Sequence, residues 1–133
     1  MRGIAILFPL LALAIPSFST MAAPTPAGDI SITKNGKKGT HDCKGGTATI
    51  SGNANTMTFK NCKKVMVAGN KNKITLEACS AVEVAGNKNT AKAGQVKSIS
   101  AMGNDNSVTY KIGPKKEKPS ISNLGSRNKI RPE

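Results

Sequence analysis

The sequence has very few aromatic residues and few side chains suited to metal binding or nucleophilic catalysis. Aromatic residues make up 3% of the 133 residues, and there is no tryptophan. This scarcity argues against a core built on large rings and against the aromatic platforms that bind single-stranded nucleic acids or sugars. One histidine, three cysteines and seven acidic residues leave little material for a catalytic or metal-binding cluster. We therefore expect no enzyme activity, no metal and no cofactor.

Residues 1–22 have the pattern of a secretory signal peptide. Arg2 is followed by a largely apolar run from Ile4 to Ile15, and Thr20-Met21-Ala22 fits the small residues that precede a cleavage site. The apolar run has about 12 residues, whereas a membrane-spanning helix needs about 20, so we expect cleavage and no transmembrane anchor. Residues 23–29 are typical of a short disordered leader. We expect a periplasmic or secreted bacterial protein.

A 17-residue repeat dominates the remaining chain. The tetrapeptide Gly-Asn-x-Asn recurs once in each repeat and begins at four evenly spaced glycines: Gly52, Gly69, Gly86 and Gly103. A degenerate fifth copy begins at Gly125, five positions later than this spacing requires, and the delay matches a basic insertion at 113–119. Such a fixed period is typical of solenoid proteins, in which each repeat stacks on the one before it.

Apolar and polar residues alternate on both sides of each tetrapeptide. In the second copy, Val65 and Val67 precede the corner and Ile74 and Leu76 follow it. Across the copies, the residues between these apolar positions are mostly polar, as at Thr75 and Glu83. This alternation predicts two short strands per repeat, each with one buried face. Gly and Asn tolerate positive φ, so the tetrapeptide between the strands is a corner.

We predict an all-β fold, a small parallel β-solenoid with 17-residue rungs and two short strands per rung. The domain should extend over residues 30–130, with 131–133 as a tail. An antiparallel meander is the alternative, although it would not require an identical corner in every repeat. The second asparagine of each corner should point inward and form a structural ladder between rungs. A ligand-binding row of asparagines is the other interpretation. The ladder residues are Asn55, Asn72, Asn89, Asn106 and Asn128.

The three cysteines occupy related positions in the repeat. Cys62 and Cys79 are exactly one repeat apart, and Gly45-Gly46 could bring Cys43 into the same column. Equivalent positions on adjacent rungs lie within disulfide range, and an exported protein matures in an oxidising compartment. We expect one disulfide, Cys43–Cys62 or Cys62–Cys79, with one free thiol. Three buried thiols are the alternative.

The repeat resembles the bacterial domain-of-unknown-function family 3060. The resemblance lies in Asp42-Cys43, in the segment Ala48 to Thr58, in Cys62, and in the segment Val65 to Asn72, and it covers roughly residues 40–112. It implies a small β-solenoid in an exported protein and carries over no catalytic residue. This chain differs from the family in its high lysine content and its basic C-terminal segment.

Basic residues outnumber acidic ones by 20 to 7, which gives a formal net charge of +13. Such a charge suits anionic envelope polymers or lipids, although solubility and protection of strand edges are the simpler interpretation. Because most of the basic residues are lysines, which act as point charges, we expect no sequence-specific nucleic acid binding. The candidate contact residues are Lys63, Lys64, Lys71, Lys88, Lys115, Lys116, Lys118, Arg127, Lys129 and Arg131.

These observations predict a non-catalytic exported envelope protein with a structural or binding role, which contacts polyanions through a lysine-rich surface. The alternative is a secreted protein–protein interaction module or inhibitor that pairs through one end of the solenoid. An ice-binding face is disfavoured because Lys73 and Lys92 interrupt the row of threonines it would need.

Overall fold

The computed structural model describes residues 28–112 and 115–133. The predicted signal peptide and most of the predicted leader, residues 1–27, lie outside this range, as do residues 113–114 of the predicted insertion. Within the described part of the chain, no helix is long and apolar enough to cross a membrane.

The described residues form twelve β-strands, which alternate between two sheets. The strands are β1 (Ile30–Ile32), β2 (Lys38–Asp42), β3 (Thr47–Ser51), β4 (Thr56–Lys60), β5 (Lys64–Ala68), β6 (Lys73–Glu77), β7 (Ala81–Asn87), β8 (Thr90–Ala93), β9 (Ser98–Asn104), β10 (Ser107–Tyr110), β11 (Ser120–Ser126) and β12 (Lys129–Pro132). The odd-numbered strands form the first sheet and the even-numbered strands form the second, each in chain order.

All strand pairs are parallel, and they align equivalent positions of the repeat. Val65 of β5 lies opposite Val82 of β7, and Ile74 of β6 lies opposite Ala91 of β8, so the partners in each pair are one repeat apart. The structure is therefore the predicted parallel β-solenoid and not a meander. The inward side chains of the two sheets meet in one core, in which Phe59 and Ile50 are fully buried.

The corner glycines are required because successive corners lie in close contact. A Cβ atom added to Gly69, Gly86, Gly103 or Gly125 would overlap the carbonyl oxygen of the glycine one rung earlier. Their φ angles also lie in the positive range, from 98° to 148°. The third residue of each corner is left-handed as well, with φ near 57° at Lys71 and Lys88. Positive φ therefore occurs at the glycine and at the variable third residue of the corner. It does not occur at the corner asparagines, although asparagine also tolerates positive φ.

Among the described residues, no further rung covers the C-terminal rung. Ile121 of β11 continues an inward column, as expected, but its side chain is 45% exposed because no described residue packs on its outer edge. Asn123 takes the column position that Ala101 holds one rung earlier, so a polar residue ends that column. The last strand continues to Pro132, two residues beyond the predicted domain limit.

We expect Gly86→Ala to lower the free energy of unfolding by about 3 kcal/mol or more, because the new methyl group would force two corner backbones apart. Urea unfolding followed by circular dichroism measures this loss. Gly36→Ala is the matched control, because Gly36 also has positive φ but has no atom within 4 Å of the added Cβ. It should cost only about 1 kcal/mol. Equal losses would show that the backbone conformation, and not the close contact, selects glycine.

Candidate functional site

The second asparagine of each corner forms a ladder on the inside of the corner. The backbone N–H of Asn55, Asn72, Asn89 and Asn106 donates to the Oδ1 of the corresponding asparagine one rung later, over 2.9–3.0 Å. From Asn72 onward, each side-chain Nδ2 also donates to a glycine carbonyl of the preceding corner, over 2.8–3.0 Å. The first four are at most 1% exposed. This inner ladder supplies polar partners for corner backbone groups that water cannot reach.

The first asparagine of each corner forms a second ladder on the outside, which we did not predict. The backbone N–H of Asn53, Asn70, Asn87 and Asn104 donates to the Oδ1 of the corresponding asparagine one rung earlier, over 2.7–3.1 Å. The side-chain Nδ2 donates to the same oxygen, over 3.2–3.4 Å. The 17-residue recurrence of this asparagine in the sequence is the signal that could have revealed it. We call this row, which starts at Asn35, the outer ladder.

A shallow groove of about 700 Å³ runs along the outer ladder. We call it the corner groove. Its floor is the ladder itself, and its wall is formed by the variable residues of successive corners. The residues that line it are Asn53, Asn70, Lys71, Asn87, Lys88, Asn104, Asp105 and Arg127.

The charges in the corner groove are unevenly distributed. Arg127 donates to both carboxylate oxygens of Asp105, with Nε–Oδ1 at 2.6 Å and Nη2–Oδ2 at 2.9 Å. This hydrogen-bonded pair holds the pKa of Asp105 below its usual value, and the charge of Lys88 lowers it further. Lys71 and Lys88 occupy the same position on adjacent corners, and among the described residues neither has an acidic partner within salt-bridge distance. The net charge of the groove therefore comes from these two lysines.

The structure does not bring all the predicted basic contact residues onto one edge. Lys71, Lys88 and Arg127 line the corner groove. Lys129 and Arg131 lie on the last strand of the second sheet, β12. Of the remaining predicted residues, Lys63 lies at the opposite corner, Lys64 is the first residue of β5, and Lys115, Lys116 and Lys118 belong to the insertion. Of these, Lys64 is paired with Glu83 at 2.7 Å.

The three cysteines share one column at the opposite corner. Cys43 and Cys62 form the disulfide, with their Cα atoms 4.9 Å apart, and Cys79 is a buried free thiol. One disulfide is therefore confirmed, and of the two predicted pairings the structure has Cys43–Cys62. Burial raises the pKa of the Cys79 thiol, although hydrogen bonds to backbone groups of Cys62 and Glu77 oppose this effect.

Stacked parallel rungs, glycine corners and two asparagine ladders define the molecule as a small parallel β-solenoid with a basic groove along one corner. Residues 67–127 match the family model described as Protein of unknown function (DUF3060). The matched family is the one that the repeat resembles, so the resemblance is confirmed over these residues. The family description assigns no activity, ligand or partner. Searches of curated proteins and of solved structures found no match.

We expect Asn89→Ala to lower the free energy of unfolding by about 2–4 kcal/mol, because it leaves several buried backbone and amide groups without partners. Asn87→Ala is the control on the same corner. The asparagine it removes makes a similar set of ladder bonds, but water can replace them, so the loss should stay below about 1 kcal/mol. Urea unfolding measures both. Similar losses for the two variants would contradict the distinction between a buried and an exposed ladder.

We expect Cys43→Ser to produce a Cys62–Cys79 disulfide, because these residues occupy one column on adjacent rungs, about 4.8 Å apart and within disulfide range. Refolding in a glutathione redox buffer, alkylation and intact mass measurement detect it. Cys62→Ser is the control, because a whole rung then separates the two remaining thiols and both should be alkylated. Two alkylated thiols in Cys43→Ser would contradict the shared column.

Proposed function

We propose that the protein is a non-catalytic, exported envelope protein that binds polyanions in the corner groove. The observation that carries this proposal is the pair Lys71 and Lys88, which line the groove beside the asparagine amides and form no salt bridge with any described residue. Lysines in such an arrangement are suited to anionic oxygens, since ammonium groups and amide N–H groups are both hydrogen-bond donors.

The stacking of these two lysines has a cost that a bound anion would relieve. These corner residues have backbones about one rung, or about 4.8 Å, apart, and like charges on neighbouring residues repel each other. Both residues also adopt left-handed backbone, which favours Gly or Asn over lysine. Neither strand packing nor backbone geometry explains lysine at these positions, so a role in binding is the explanation that we favour.

Export is supported by the disulfide between Cys43 and Cys62, because disulfides persist mainly in oxidising compartments. The signal-peptide pattern in residues 1–22 agrees with this interpretation. In the bacterial envelope, the protein would encounter anionic lipids and acidic polymers, which are the ligands that a chain with a net charge of +13 attracts.

The carboxyl groups of Asp42 and Glu133 support a non-catalytic role. Hydrogen bonds from the backbone of Lys44 and from Asn61 hold the pKa of Asp42 below its usual value. A hydrogen bond from Lys92 lowers the pKa of Glu133 in the same way. A general acid working at neutral pH needs a carboxyl group whose pKa is raised toward 7. These groups are shifted in the opposite direction.

A second candidate function is protein–protein interaction through the C-terminal rung. All seven residues of β11 are exposed, and Ile121 and Leu124 are 45% and 62% exposed. An open strand edge with apolar side chains can accept a strand from a partner. Such pairing would depend on backbone hydrogen bonds and apolar contacts, so it would persist in salt that abolishes polyanion binding.

We expect the chain to bind at least one member of an anionic panel at physiological salt: lipopolysaccharide, anionic liposomes, heparin and DNA. The double variant Lys71→Glu/Lys88→Glu should weaken this binding by about ten-fold or more, because charge reversal replaces attraction with repulsion in the groove. Surface plasmon resonance at low and physiological salt measures the affinity.

The control is Lys63→Glu/Lys97→Glu, which changes the net charge equally at the opposite corner and should weaken binding by no more than about two-fold. Equal losses in both double variants would contradict the corner groove as the contact. Absence of binding to every member at physiological salt would overturn polyanion binding altogether and would favour the C-terminal rung.

A further inference from the structure

The outer ladder presents hydrogen-bond donors and no free acceptors to the groove. The Oδ1 atom of Asn53, Asn70 and Asn87 already accepts both the backbone N–H and the Nδ2 of the following corner. Each Nδ2 atom carries two hydrogens, and this bond uses one of them. Among the described residues, no acceptor is placed against the second hydrogen. The floor is therefore a row of exposed N–H groups.

The row has a direction and a regular spacing. It runs along the solenoid axis, across the strands, and each amide is about 4.8 Å from the next because the rungs are in parallel register. Lys71 and Lys88 repeat at the same spacing along the wall. Asn53 to Asn104 cover three rung intervals, or roughly 14 Å. A single extended chain whose acceptor groups repeat at this interval would satisfy every amide of the row at once.

The residues of the wall give the two ends of the groove different charges. Lys71 and Lys88 form the cationic part, whereas Asp105 is neutralised by Arg127. A linear chain lying in the groove would place its anionic groups against the two lysines. Its uncharged acceptor oxygens would then meet the amides of Asn53 and Asn104, whose corners carry no lysine.

We propose that the ligand of the corner groove is an acidic polysaccharide, bound as one extended chain parallel to the solenoid axis. This inference rests on the proposed polyanion binding and specifies its ligand. An extended chain of acidic sugars advances by a distance close to one rung per ring. It also offers carboxylate, ring and hydroxyl oxygens as acceptors.

Other polyanions match the groove less well. The charges on one DNA strand advance by about 3.4 Å per nucleotide along the helix, which is shorter than a rung. Lipid headgroups form a two-dimensional surface, whereas the donors lie in a single row. Neutral glycans usually rely on stacking against aromatic rings, and the residues that line this groove include no aromatic residue.

Titration calorimetry with oligogalacturonates of two to eight sugars tests the proposal at physiological ionic strength. We expect affinity to increase up to about four sugars and then to level off, because four amides span about three rung intervals. Lys71→Ala/Lys88→Ala should reduce the affinity by about ten-fold, whereas Lys63→Ala/Lys97→Ala should change it by about two-fold or less.

Side-chain amide signals in NMR spectra provide a second readout. The Nδ2 signals of Asn70, Asn87 and Asn104 should shift on addition of a four-sugar oligomer. Those of Asn72 and Asn89 should change much less, because these amides are buried and at most 1% exposed.

The outcomes separate this inference from the proposed function. Affinity that increases without a plateau, or outer-ladder amides that do not respond, would overturn the extended glycan while binding to the anionic panel could still hold. Tighter binding of polyphosphate or DNA than of an oligogalacturonate of equal charge would also overturn it. Failure to bind any polyanion would overturn both proposals.

Discussion

Each rung must lie about 4.8 Å from the next along its whole length, and this holds at the corners as well as in the strands. At the corner this spacing leaves no room for a Cβ atom, because the glycine lies against the carbonyl oxygen of the glycine one rung earlier. A substitution there would separate neighbouring rungs. The strand register, both asparagine ladders and the groove all depend on this close contact.

The two ladders show how position alone separates a buried asparagine from an exposed one. Asn87 and Asn89 lie on one corner, two residues apart, and both bond to the adjacent rungs. Asn89 is 1% exposed, and its amide is fully used by the protein. Asn87 is exposed, and one of its amide hydrogens has no acceptor among the described residues. The two ladders also point in opposite directions, since the inner oxygens accept from the preceding rung and the outer oxygens accept from the following rung.

Much of the fold could be predicted because the same sequence pattern recurs in each repeat. The 17-residue period and the alternation in segments such as Val65–Val67 identify the strands and their buried faces, and the pairing of Val65 with Val82 agrees. The site was harder to predict. Lysines appear throughout the sequence, and only the structure shows which ones lie together and which, like Lys64, already have an acidic partner. The exposure of Ile121 was also unforeseen, because its position in the repeat is the same as that of the buried Ile99.

The sequence by itself determined the rung length, the strand periodicity, the corner positions and the column that holds the cysteines, because each is a local pattern repeated at a fixed interval. Only the tertiary structure decided which cysteines pair, which lysines form ion pairs with described residues, and which asparagine of each corner is exposed. These properties depend on what lies across the rung and on the distance between side chains that are far apart in sequence. Spacing along the chain does not contain that information, whereas the stacked rungs do.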